Sequence, residues 1–175
     1  SIEFEKDIVL KDLDFRYEKR GDLILKNINL KINAGEKIGI IGETGSGKST
    51  LLDIISGLLI PTMGNIIIDG KHELFCNGSN IETLQLWRKL ISYVPQNIYL
   101  SDNSFADNIA ISDKKSLKNM KNIIDASKQA KIHEFISKTI KGYDTKVGER
   151  GVKISGGQRQ RIAIARAIYK KCKLL

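Results

Sequence analysis

No stretch of this sequence approaches the ~18–20 consecutive apolar residues that a membrane-spanning helix needs. The nearest candidate, Leu51 to Ile60, carries Asp53, Ser56 and Gly57 and runs into Pro61. No secretory signal is legible either, because Ser1, Glu3, Glu5, Lys6 and Asp7 are too polar for one. The chain is cytosolic in character, and a role at a membrane requires another segment as anchor. Cysteine is scarce. Cys76 and Cys172 lie far apart, without metal-ligand spacing and without a catalytic histidine beside them. That argues for two free thiols in a reducing compartment rather than a zinc site or a disulfide framework. Acidic residues are outnumbered, 20 against 29 Lys and Arg, for a net charge of +9. Such a charge suits nucleic acid in principle. The lysines are scattered, however, and no basic run is interleaved with aromatics. The charge is read as solvated lysines plus a phosphate site, with no nucleic-acid partner.

With 175 residues, 41% of them hydrophobic, the chain has the size and apolar content of one globular domain. Leu13, Phe15 and Tyr17 alternate with Asp12, Asp14, Arg16 and Glu18, the period-two pattern of a half-buried strand. Ile28, Leu30 and Ile32 repeat it. Lys37 to Ile41 is a short β-branched run expected to form a buried strand. Leu51, Leu52, Ile54, Ile55, Leu58 and Leu59 then carry helical spacing. Gly64 opens another strand that ends in the turn dipeptide Asp69-Gly70. Lys71 to Ile81 is polar and reads as a loop. Ser116 to Lys141 is helical in period, and Ser155 starts the last helix. His72 and His133 read as surface residues.

Gly42-Glu43-Thr44-Gly45-Ser46-Gly47-Lys48-Ser49 fits G-x-x-x-x-G-K-[ST] at every position, between an expected strand and an expected helix. Glycines let such a loop wrap closely and aim backbone N–H groups at an anion. The following helix adds the positive end of its dipole. Lys48 supplies a point charge for the β- and γ-phosphates. The Ser49 hydroxyl is placed to bind Mg²⁺, and Thr50 can add a phosphate contact. The loop alone says only nucleoside triphosphate. No Asn-Lys-x-Asp guanine motif follows, so ATP is preferred over GTP.

Ile154-Ser155-Gly156-Gly157-Gln158-Arg159-Gln160-Arg161 resembles the signature sequence of ABC ATPases, with Ile154 where leucine is usual. Read from the residues alone, Ser155-x-x-Gln158 is a capping box at a helix start, and a helix start with two glycines and a hydroxyl is a second anion site. The resemblance implies that two such domains meet head-to-tail, with Lys48 of one and Ser155 of the other on the same ATP. It also implies that Gln96, after Tyr93-Val94-Pro95, is the glutamine that touches Mg²⁺ and links the site to a transmembrane domain. Tyr17 stands at the position of an aromatic that stacks on adenine. Its alternative reading is a core-facing strand residue. Gly148-Glu149-Arg150-Gly151 resembles a loop that ABC exporters carry before the signature. The stretch Trp87 to Ile109 is similar to flippases of lipid-linked glycans.

The family's Asp-Glu strand, which follows the signature helix, is not in the sequence. Lys173-Leu174-Leu175 resembles its opening. The chain is therefore expected to be a fragment, with an incomplete fold and little hydrolysis of its own. The expected fold is α/β. Residues 1–100 would hold an antiparallel β region and P-loop core, 101–155 a helical subdomain, and 156–175 the signature helix and the start of the absent strand. The expected function of the parent is ATP-driven export, at the cytoplasmic face of the cell membrane. A soluble ABC ATPase of DNA repair or translation, and a non-hydrolysing remnant, are the alternatives.

Overall fold

The computed structural model describes residues 2–75, 81–111, 118–148 and 153–175. They divide into two compact units, Ser1–Ile91 and Ser92–Leu175. The first unit contains β1 (Asp7–Phe15), β2 (Leu25–Asn33), α1 (Lys48–Ile55), β3 (Met63–Ile68), β4 (His72–Glu73) and α2 (Ile81–Leu90). Its sheet runs in the order β2-β1-β3-β4, with every neighbour antiparallel. The second unit is helical. It has α3 (Phe105–Ile109), α4 (Met120–Gln129), α5 (His133–Ser137), a 3₁₀ turn at Gly142–Asp144 and α6 (Gly156–Tyr169).

The alternation read from Leu13 onward belongs to a longer strand with a bulge. Ile8 and Leu10 are buried, then Leu13 and Phe15, so the buried positions change phase within β1. The register shift between Leu10 and Leu13 supplies the extra residue that keeps all four on the same face. Asp12 takes a left-handed φ of 46° there, and Gly64 of β3 sits directly opposite with φ 82°. A Cβ on Gly64 would collide with the carbonyls of Lys11 and Asp12, so only glycine lets the two strands meet at the bulge.

The expected loop from Lys71 contains a strand instead. Leaving β3, the chain turns at Asp69-Gly70, and β4 pairs back through Ile67 with Glu73 and Ile68 with His72. The turn also secures the N-terminal segment. The Asp69 carboxylate accepts the backbone N–H groups of Glu5, Lys6 and Asp7 at 3.0, 2.8 and 3.0 Å. His72 is half-buried in this hairpin rather than on the surface.

Lys37 to Ile41 forms no strand. Ile41 is 95% exposed, and among the described residues none lies alongside the segment in a ladder. A strand is defined by its partner, and a β-branched run without one stays irregular. Beyond the phosphate loop, α1 buries Thr50, Leu51, Ile54 and Ile55. It stops where the N–H groups of Gly57 and Leu58 return to the carbonyls of Ile54 and Asp53, a pairing that closes the last turn. α2 docks on that end. Fully buried Trp87 donates its indole N–H to the Ile55 carbonyl at 2.8 Å, and the Arg88 guanidinium donates to the Gly57 carbonyl. A cation on helix-terminal carbonyls complements the negative end of the dipole.

In the second unit, α3, α4 and α6 pack around Phe105, Ile109, Ile123 and Ile162, all buried. The helical period from Ser116 breaks in two. Lys131 takes φ 56° and its N–H bonds to the Lys128 carbonyl, which separates α4 from α5. Ser116 itself lies outside the described residues. His133 is half-buried too, with Nδ1 2.9 Å from the Tyr143 hydroxyl. At the end of the chain, the Leu174 carbonyl accepts the Ser92 N–H at 2.9 Å. Cys172 is a free, half-buried thiol, and Cys76 lies outside the described residues.

Desolvation works to raise the Asp69 pKa, but its three backbone donors and the charge of Lys71 outweigh it and hold the carboxyl below its ordinary value. A depressed carboxylate stabilises the fold above its unfolded pKa and loses that contribution as pH falls through the folded one. Asp69 has a left-handed φ of 53°, and Asp69→Asn keeps a residue tolerant of it while removing the charge. It is expected to lower stability by about 1 kcal/mol at neutral pH. Denaturant midpoints of the two proteins should converge in acid below the ordinary aspartate value. A gap that stays constant with pH would show that the carboxylate does not carry the tie.

Candidate phosphate and signature sites

The phosphate loop belongs to the first unit. Gly47 is the N-cap of α1, with φ 88° and no side-chain cap, so the first N–H groups of the helix are not taken up by a capping side chain. The conformation needs glycine twice over. The φ is left-handed, and a Cβ would come within 2.9 Å of Leu25 Cδ2 and 3.2 Å of the Ile24 carbonyl. The start of β2 thus lies against the loop and leaves no room for a side chain at Gly47.

Lys48 folds back over that curl. Its Nζ donates to the carbonyl of Gly42 at 2.8 Å and of Glu43 at 2.5 Å, and lies 3.4 Å from Ser46 Oγ. The Ser46 N–H bonds to the Glu43 carbonyl at 3.2 Å and tightens the turn. Thr44, Gly45 and Ser49 are exposed. The result is a lysine ammonium beside uncapped backbone donors at a helix N-terminus, with chemistry suited to an anion.

Tyr17 lies past the end of β1 and is 63% exposed, so it does not share the core face of Leu13 and Phe15. Its ring stands edge-on to Phe15 at 4.9 Å, and its hydroxyl is 3.1 Å from Thr50 Oγ1. The fold therefore brings Tyr17 to the first turn of α1, 33 residues on, with an exposed aromatic surface. The same contact occupies Thr50, which is 6% exposed and directs its hydroxyl to Tyr17.

The signature residues belong to the second unit. Ser155 is the N-cap of α6. Its Oγ accepts the Gln158 N–H at 3.2 Å, and Gln158 Oε1 accepts the Ser155 N–H at 2.9 Å. The capping box read from the sequence is present, and the serine oxygen acts in it as acceptor, so its hydroxyl proton is not spent there. Ser155, Gly156 and Gly157 are exposed. Neither glycine is demanded by packing, because a Cβ at either position meets nothing within 4 Å. Gln96 is exposed and shares with Asn97, Ile98, Gly156 and Arg159 the wall of a small cleft. A larger cavity of about 600 Å³ lies next to it, bounded by Ile98, Tyr99, Leu100 and Asp102 and, from the signature side, by Lys153, Ile154 and Arg159. Of the exporter-like loop only Gly148 is described; Glu149 to Gly151 lie outside the described residues.

Sequence reading missed Arg166 and Asn108. Both are tied into the wall of this cavity. Arg166 follows buried Ile162 and Ala163 by four and three residues, so a charge falls on the packed side of α6, and that placement was the signal.

Among the described residues no group of three His, Cys, Asp or Glu side chains could hold a metal ion, and no helix is long and apolar enough to cross a membrane. A glycine-capped phosphate loop beside an exposed tyrosine, with a serine-capped glycine-rich helix further along, defines a nucleotide-binding class of protein. The chain belongs to the ABC transporter family, whose profile matches residues 25–175. It is 44% identical over 174 residues to the toxin RTX-I translocation ATP-binding protein of Actinobacillus pleuropneumoniae, and 45% identical to the leukotoxin translocation ATP-binding protein of Mannheimia haemolytica. These alignments cover 99% of this chain and 23% of each relative. In structure it is similar to a bacterial Atm1-family ABC exporter with ATP bound. The TM-score is 0.83 at 31% identity, covering 98% of this chain and 28% of the exporter chain.

The two sets of glycines predict stability effects of different size. Gly47→Ala forces a strained φ and a clash, and should cost about 1–3 kcal/mol. Gly156→Ala enters open space at a helix start and should change stability by less than about 0.5 kcal/mol. Chemical denaturation distinguishes them, and equal losses would contradict the packing described here.

Proposed function

We propose that this chain binds ATP with Mg²⁺ and forms part of the motor of a membrane exporter, working at the cytoplasmic face of the membrane. The observation that carries the reading is the pair of exposed helix N-termini, one capped by glycine under a lysine and one by serine before two glycines that packing does not require. Open glycines with no internal reason fit a surface that another molecule approaches closely.

In this reading, Gly42, Glu43, Thr44, Gly45, Ser46 and Gly47 wrap the phosphates with backbone N–H groups. Lys48 exchanges its loop carbonyls for the β- and γ-phosphate oxygens, a charge-assisted contact that replaces neutral ones. Tyr17 offers its exposed face to the adenine, and Thr50 acts through the Tyr17 hydroxyl as well as the phosphate. Mg²⁺ neutralises phosphate charge when bound. Ser49 in the first unit is one candidate ligand and Gln96 in the second another, each offering an uncharged oxygen that suits an ion which keeps waters and substrate oxygens around it. Lys48 and Gln96 are the residues of this chain assigned to turnover.

Ser155, Gly156, Gly157 and Gln158 face the nucleotide held by a second ABC domain, in a head-to-tail pair. Closure of such a pair requires that ATP bind the closed state more tightly than the open one. The cavity beside Gln96 is the proposed seat of a transmembrane domain, with apolar walls at Ile98, Leu100 and Ile154 and charges at Asp102, Lys153 and Arg159. The family, the relatives' names and the exporter neighbour support export of a substrate. The relatives' names speak of toxin translocation, and the stretch Trp87 to Ile109 resembles lipid-linked glycan flippases. These are the two cargo classes to assay first.

In the full-length protein, Lys48→Ala should weaken ATP binding at least about tenfold, from loss of one charged contact. Unchanged affinity in a binding titration would sink the phosphate-loop assignment. Ser155→Arg should leave binding to the open form intact and abolish ATP-driven pairing, measured by light scattering of the separated domains. Pairing that persists would rule out a cross-site role. Tyr17→Ala should weaken ATP by about 1–3 kcal/mol, by analogy with base stacking, and inorganic triphosphate far less. Equal losses for both ligands would count against stacking.

A further inference from the structure

Arg166 lies roughly three turns along α6 from Ser155 and has no part in the proposed nucleotide contacts. Burial works against its charge and lowers its pKa. Two of its donors are nevertheless engaged. Its Nε donates to the Asn108 carbonyl at 2.8 Å, and its Nη2 to the Tyr99 carbonyl at 3.4 Å. The first acceptor lies near the C-terminal end of α3, where helix carbonyls lack internal donors and favour a cation. The second lies in the wall of the 600 Å³ cavity.

Asn108 extends the tie. It is fully buried, and its Oδ1 accepts the Ser101 N–H at 2.9 Å while Nδ2 donates to the carbonyls of Ser101 and Ser104, each at 3.0 Å. One arginine and one asparagine therefore join the 98–104 segment, α3 and α6. Among the described residues the cavity is walled by 98–102, Gly148 and 153–159, and Arg166 fastens the first of these to the helix that begins in the last. A lysine could not reach both carbonyls with a planar fork. Stability alone would be served as well by an apolar residue, since burying a cation carries a desolvation cost that apolar packing avoids.

We propose that Arg166 is a positioning residue: it locks the cavity wall to the signature helix, so that the orientation of Ser155 follows whatever occupies the cavity. The inference rests on the two-surface reading above. A segment pressed against Tyr99 and Leu100 moves a body that includes α6, and the glycine-rich N-terminus moves with it. The displacement needs no contact between the segment and the nucleotide.

The test uses the full-length protein in lipid vesicles, with Arg166→Met and Arg166→Lys. Three quantities are measured: MgATP affinity under non-hydrolysing conditions, ATP turnover, and hydrogen exchange of the Ser101 amide. Affinity should stay within about twofold, because the phosphate loop is untouched, while turnover in Arg166→Met falls about tenfold. Ser101 exchange should accelerate by a similar factor as the wall loosens. Arg166→Lys, which keeps the charge and one carbonyl contact, should recover part of both. Turnover within about twofold of the parent despite faster exchange would overturn the proposal, as would exchange that does not change. A purely structural role would depress affinity and turnover together. If Arg166→Met does not fold, Arg166→Lys decides by the same comparison. Ser155→Arg serves as the control. Unchanged turnover in that variant would sink the two-surface reading itself, independently of Arg166.

Discussion

An α-helix begins with N–H groups that its own ladder cannot satisfy, and this chain depends on how two such beginnings are treated. At α1 a side-chain cap is withheld. Gly47 provides the turn without an oxygen, and Lys48 adds charge in place of a cap. At α6 two donors are satisfied reciprocally by Ser155 and Gln158, while the serine hydroxyl and two bare glycines remain on the surface. The first end suits a highly charged anion that must be enclosed. The second suits one already enclosed elsewhere and approached from outside.

Much of each unit keeps those ends in place. In the first, the start of β2 sets Leu25, and Ile24 just before it, against Gly47, while α2 clamps the far end of α1 through Trp87 and Arg88. The bulge opposite Gly64 keeps the sheet's apolar face continuous across a change of phase, and Tyr17 emerges past the end of that strand toward α1. In the second unit, small residues Ala163, Ala165 and Ala167 let α6 lie close to its neighbours. The Arg166 and Asn108 hydrogen bonds then tie that helix to α3 and the 98–104 segment.

The elements legible in the sequence were those whose signal is local. The capping box at Ser155, the phosphate-loop spacing and the Asp69-Gly70 turn each depend on residues within a few positions of one another. Each stands in the structure where that spacing puts it. Misreadings came where a partner decides. Lys37 to Ile41 has strand composition but no ladder, and β4 has loop composition but a ladder. His133 looks solvated in sequence and is met by Tyr143 from ten residues away. Tyr17 continued an alternating pattern, yet the strand ends at Phe15 and the next turn swings the ring outward.

Residue spacing alone determined that a glycine-turned loop at Gly42 to Ser49 would open a helix at Lys48 and that a second, polar-capped helix would start at Ser155. Both follow from backbone donors and caps, which act over one turn of chain. Tertiary structure decided that Tyr17 meets Thr50, that Gly47 cannot carry a side chain, that Gly156 and Gly157 could, and that Arg166 holds Asn108 and Tyr99. Those facts depend on burial and on contacts tens of residues apart, and close packing settles them only when the elements are assembled.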